Sequence, residues 1–164
     1  MISFSDTQTE VRVISDHGFA QVMLNEDAGH KSLIATKKFK AGELISLFHA
    51  GTISSRPTYL TVQVGDHKHI TLQPEFLQYI NHSCDPNAFF NTTTMELTCL
   101  KAIKPGDEFT FFYPSTEWDM AQPFDCRCGS PKCLHTISGA SHIPSKTLDK
   151  YKLTDYIQSK RVEG

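Results

Sequence analysis

A chain of 164 residues fits one domain with a short appendage, and such a domain buries enough surface to stand without disulfide staples. Its 16 basic and 18 acidic side chains are interspersed and leave a formal charge of −2, with no basic stripe to track phosphates, which argues against direct nucleic-acid binding. No apolar run approaches the roughly 20 residues of a membrane span, and Met1 to Glu10 lack the basic and apolar regions of a secretory signal, so the expected protein is intracellular, in cytoplasm or nucleus, and neither membrane-bound nor secreted.

The pattern is mainly β: short apolar alternations broken by Gly, Pro, Asn and Asp. Expected strands, in chain order, are 10–14, 20–24, 32–36, 44–48, 59–64, 69–72, 88–91, 97–102 and 108–112. Turns such as Lys40-Ala41-Gly42-Glu43 and Lys104-Pro105-Gly106-Asp107 separate them, glycine supplying positive φ and proline fixing a bend. Residues 74–80 predict one short helix. Near Asp125 the composition shifts to Cys, Gly, Ser and Pro, in a zone too short for its own core. Beyond Gly139 the tail turns polar and weakly helical, with Leu148, Tyr151, Tyr156 and Ile157 as its apolar contacts. The expected division is 1–124, 125–140 and 141–164.

Five cysteines suit no disulfide framework, and Cys126, Cys128 and Cys133 crowd into eight positions. The spacing Cys-x-Cys-x4-Cys, with Gly129 permitting a tight turn, lets one loop wrap three sulfurs around an ion. Three ligands leave a tetrahedral site open. Cys84, Cys99, His82 and His135 are the candidates for the fourth.

The stretch Asn81-His82-Ser83-Cys84-Asp85-Pro86-Asn87 closely resembles a signature of SET-domain methyltransferases. Gly106-Asp107-Glu108-Phe109-Thr110-Phe111-Phe112-Tyr113 resembles that family's second signature, and the cysteine cluster resembles its post-SET segment, in the same order. The resemblance covers roughly Val22 to Gly139. It implies a SET-domain fold of short β-sheets with a threaded pseudo-knot, a zinc-binding post-SET loop and a short helical tail. It implies Cys84 as the fourth ligand of a Zn2+ held with Cys126, Cys128 and Cys133. It implies S-adenosylmethionine as methyl donor, contacted by His30, Lys31, Ser32, Asn81, His82 and Tyr113, with Leu134 packed on the adenine. Tyr113 is the implied catalytic residue, and Phe111 and Tyr59 the implied lining of a substrate channel.

The implied activity is methylation of an amine. The implied acceptor is a lysine of a protein or peptide, histone-like among the options, with a small-molecule amine as the alternative because no recognition module is visible; a noncatalytic zinc-stabilised module is the third reading. Such a transfer is an in-line displacement, so alignment supplies most of the rate. A dry, narrow channel also lowers the amine's ordinary pKa of about 10.4, which frees the nucleophilic form. The chain departs from the family pattern at three places. Ser32 stands where the second glycine of a Gly-x-Gly turn is expected, Gln78 where arginine is common, and Phe112 where aspartate often precedes the tyrosine.

Overall fold

The computed structural model describes residues 10–163. Strands β1 (Val11–Asp16), β2 (Ala20–Asn25) and β3 (His30–Ala35) form an antiparallel meander. Gly18 turns the first hairpin at φ 87, its N–H held by the Asp16 carboxylate at 2.9 Å. Ala20 and Val22 on β2 and Leu33 and Ala35 on β3 are buried at every second position, the period of a strand with one face inward.

Strand β4 (Leu44–Leu47) is followed by β5 (His49–Ser54), β6 (Val62–Gly65) and β7 (Lys68–Gln73), the last three forming a sheet in the order β5-β7-β6. Here the structure corrects the sequence reading. Strand β5 was not expected, because His49–Ser54 is a largely exposed segment without apolar alternation, held by its ladder to β7 and by the Thr71 hydroxyl against Thr52. The strand expected at 59–64 begins at Val62, and Thr58 to Leu60 form a turn closed by the Thr61 side chain, which accepts from Thr58 N–H at 2.9 Å.

Glu75–Tyr79 is a single 3-10 turn within the helix expected at 74–80. Two residues, β8 (Asn81–His82), follow it. Strands β9 (Ala88–Asn91) and β10 (Glu96–Cys99) complete a sheet with β4 in the order β4-β10-β9. Strand β11 (Thr110–Phe111) is shorter than the expected 108–112 and lies parallel to β8, whereas the other ladders are antiparallel. Parallel pairing needs a long crossover, and residues 83–109 supply it.

The main core gathers the inner faces of the three larger sheets around Leu33, Phe90, Leu97, Ile103 and Phe109. A second cluster forms where the chain leaves β11: Phe112 packs with Ala140, Leu148, Leu153 and Ile157. Helices α1 (Ser145–Leu148) and α2 (Asp155–Glu163) belong to it. Phe112 and Tyr151 stack face to face, with centroids 3.7 Å apart and planes at 5°. The bulk of Phe112 therefore serves as the seat of the C-terminal tail. Between these parts, β12 (Phe124–Asp125) and β13 (Thr136–Ile137) pair to close the cysteine-rich loop.

Candidate functional site

The β8–β11 pair sets Asn81 opposite Thr110 and His82 opposite Phe111. Asn87 holds the second segment in place: its side-chain amide donates to Glu108 O at 2.8 Å and its oxygen accepts from Thr110 N–H at 2.9 Å. Buried at 8% exposure, Asn87 satisfies backbone groups that the two-residue ladder leaves over. Ser83 N–H extends the pairing to Phe111 O at 3.0 Å.

Beside this pair lies an open cavity of about 1110 Å³. His30, Lys31, Asn81, His82, Phe111 and Tyr113 line it, so the fold brings most of the expected site residues together. The Asn81 amide faces His30 Nε2 at 3.1 Å, Lys31 O at 2.9 Å and Glu108 Oε2 at 3.3 Å, tying β8 to the start of β3. Two amide hydrogens face three acceptors, so the amide is fully engaged and one of the three contacts is shared.

Tyr113 opens the 3-10 turn Tyr113–Ser115, its ring 4.7 Å from Phe111 and 5.8 Å from Phe124. Burial, then the Glu108 and Glu117 carboxylates, push its phenol up to about 12, so the hydroxyl stays protonated and can donate. The His82 ring is 5.1 Å away. Its Nδ1 accepts from Tyr113 N–H at 3.1 Å, which leaves Nε2 as the donor toward Cys84 Sγ at 3.3 Å. Burial pulls His82 down to about 4, in keeping with a neutral ring.

Two expected positions are not brought to the cavity wall. Ser32 sits in regular β3 ladder opposite Met23, where only Gly29, His30 and Lys31 of its segment reach the cavity. Leu134 packs against the Phe112 cluster and lines a separate groove, while its N–H donates to Cys84 Sγ at 3.3 Å. Tyr59 stands at the rim with 82% exposure. Sequence reasoning gave Asn87 no role beyond its place in the signature, and nothing in the pattern marks Glu117.

Cys84, Cys126, Cys128 and Cys133 converge with all sulfurs within 4.8 Å of one another. A tetrahedral thiolate site with metal–sulfur bonds of about 2.3 Å has sulfurs roughly 3.8 Å apart, so a slight contraction suffices to hold an ion. All four are free thiols. Burial raises the Cys84 thiol, and a bound cation would reverse that pull and hold it as a thiolate. Cys99 lies apart in the main core, its thiol donating to Lys101 O at 3.0 Å. Lys132, 3.6 Å from Asp85, ties the loop to the segment after β8, and the Tyr151 hydroxyl ties the C-terminal tail to the same segment by donating to Cys84 O at 2.6 Å.

A sequence model of the SET domain matches residues 30–114. The chain is 40% identical to the methyltransferase flvH of Aspergillus flavus over 80% of its own length and 72% of that protein. It is 41% identical to a SET and MYND domain-containing protein of Dictyostelium discoideum over 36% of the chain and 20% of that protein. It is 27% identical to the H3 lysine-36 specific histone-lysine N-methyltransferase of Saccharomyces cerevisiae over 59% of the chain and 14% of that protein. Among the described residues no helix is long and apolar enough to cross a membrane. With this match spanning both strands of the β8–β11 pair, the chain belongs to the SET-domain family of methyltransferases.

Proposed function

We propose that the chain transfers a methyl group from S-adenosylmethionine to the side-chain amine of a protein lysine. The observation that carries this reading is the parallel β8–β11 pairing, which puts the Asn81 amide and the Tyr113 ring on one cavity. The donor supplies an electrophilic methyl on a cationic sulfur. On the protein's side, Asn81, His30 and Lys31 are the groups to hold the donor. Tyr113, kept protonated, orients the amine along the line of displacement. Phe111, 8% exposed and edge-on to Phe90 at 4.9 Å, leaves apolar space beside the tyrosine, which favours a dry channel and acceptance of an already methylated amine.

The four cysteines fit zinc: four thiolates close a tetrahedral structural site. Its role is to pin the 125–140 loop against β8, since that loop brings Cys126, Arg127 and Cys128 to the cavity wall. The lysine acceptor is supported by the histone-lysine methyltransferase among the relatives, and an intracellular location goes with it.

Incubation of the purified chain with methyl-labelled S-adenosylmethionine and cell extract, separated by size, tests the reading. Label on a polypeptide band supports it. Label confined to the low-mass fraction shows a small-molecule amine as acceptor, and no label in either fraction removes the activity.

A further inference from the structure

One turn beyond Tyr113 stands a carboxylate that the transfer does not use. Glu117 N–H donates to Tyr113 O at 3.0 Å, which fixes the residue directly after the tyrosine turn. Its Oε2 takes two hydrogen bonds, from Gln63 N–H at 3.0 Å and from the Thr116 hydroxyl at 2.5 Å. Thr116 is fully buried and Gln63 nearly so. Gln63 is locked in turn, its side-chain oxygen accepting from Trp118 N–H at 2.9 Å and its amide donating to Gly65 O and the Tyr156 hydroxyl. Oε1 has no hydrogen-bond partner among the described residues, and Glu117 lines the same cavity as Tyr113.

Glu117 is partly buried in the cavity wall, and a carboxylate so placed is costly to ionise unless a cation meets it. Burial pushes Glu117 up to about 7 against the pull of Thr116 and Gln63, and among the described residues no cationic side chain contributes. The supporting shell is complete and, among the described residues, no cationic side chain faces the carboxylate, which suits it to a cation from outside the chain. That cation is not the accepting amine, because a carboxylate in contact with it would hold its proton and hide the lone pair that must attack. Nor is Glu117 on the donor side, where Glu108 is the acid that faces Asn81.

We propose that Glu117 is a specificity-determining residue that binds a second positive charge, an ammonium or guanidinium, carried by the same acceptor molecule. This rests on the lysine-methyltransferase reading and narrows it. The acceptor lysine has a basic neighbour, and in a small acceptor the same chemistry is the far amine of a diamine.

The test compares kcat/KM for acetyl-Ala-Arg-Lys-Arg-Ala-amide with its counterpart bearing citrulline in place of both arginines, and for a straight-chain diamine with the monoamine of equal length. Wild type and Glu117→Gln are measured side by side. A charge-assisted hydrogen bond in a buried setting predicts a wild-type preference of about tenfold or more for the doubly cationic acceptor, expressed mainly in KM. Glu117→Gln, which keeps an acceptor oxygen for Gln63 and Thr116, should bring the ratio to within about twofold of unity. Preference in the peptide pair identifies a neighbouring side chain as the source, and preference in the diamine pair a small acceptor. Transfer without preference in wild type, or a preference that survives in Glu117→Gln, overturns the proposal alone; the wild-type ratio decides even if the variant folds poorly. No transfer to any of the four acceptors overturns the methyltransferase reading together with it.

Discussion

The imidazole of His82 lies 3.3 Å from the sulfur of Cys84 while its other nitrogen accepts the backbone N–H of Tyr113. One neutral ring thus connects the cysteine cluster to the tyrosine on the cavity. Replacement by alanine leaves Tyr113 N–H without this partner and removes a hydrogen bond from the thiolate. His82→Ala should cost about 1 to 3 kcal/mol of stability by denaturant titration and loosen the metal, read as faster release to a chelator.

For the cluster itself, one tightly bound zinc per chain is the expected stoichiometry. Cys84→Ser should lower the metal content and Cys99→Ser should leave it full, because only the former sulfur converges with those of Cys126, Cys128 and Cys133. Elemental analysis of both variants decides, and the reverse pattern would reassign the fourth ligand. Chelation should release the 125–140 loop before the main core melts, since β12 and β13 contribute only two residues each.

Gly139 makes a sharper case than the other glycines. It adopts φ 109, and a Cβ there would lie 2.6 Å from Trp118 O and 2.9 Å from the Asp119 Cα. Gly139→Ala should therefore destabilise by about 3 kcal/mol or more, combining backbone strain with a clash against main chain. Gly18→Ala, at φ 87 in open space, should cost only about 1 to 2 kcal/mol. Thermal midpoints of the pair check the order.

Glu117 also gives stability a pH dependence. Its carboxyl titrates near 4.5 when unfolded and is raised by burial to about 7 in the folded chain. Between those values the folded state binds the proton that the unfolded state has lost, so this group's contribution falls as pH rises from about 4.5 to 7 and is level outside that window. The loss is on the order of 3 kcal/mol. Subtracting the pH profile of Glu117→Gln from that of wild type should show this decline, and a flat difference would mean the carboxylate is better solvated than its surroundings indicate.

The motifs carried more of this architecture than the periodicity did. Strands β2, β3 and β7 follow from apolar alternation, because each turns one face to the main core, while β9 is a short apolar run buried on both faces and β4 is anchored by Ile45. Strand β5 was illegible because its side chains are exposed and its stability comes from backbone pairing with β7, which leaves no hydrophobic trace. The two-residue β8 has no period to read, and only the resemblance of its sequence to a family signature drew attention to it, whereas β11 lies inside the strand expected at 108–112. Phe112 looked like a departure that added bulk, and its reason, the stack with Tyr151, depends on a tail contact that spacing does not announce. Ser32 needs no glycine's freedom where it stands in a regular ladder opposite Met23. Glu117 was silent for a different reason: its significance lies in which of its two oxygens is left without a partner.

The most direct measurement is the rate of methyl transfer by Tyr113→Phe, set against its affinity for S-adenosylmethionine on the same preparation. The substitution keeps the ring packed on Phe111 and removes only the hydroxyl. If that hydroxyl orients the amine in the reacting complex, kcat should fall by a factor of roughly thirty to a thousand, the loss of about 2 to 4 kcal/mol, with donor affinity and thermal midpoint little changed. Undiminished turnover would contradict the account, and a large fall in donor affinity would make Tyr113 a wall of the donor site instead.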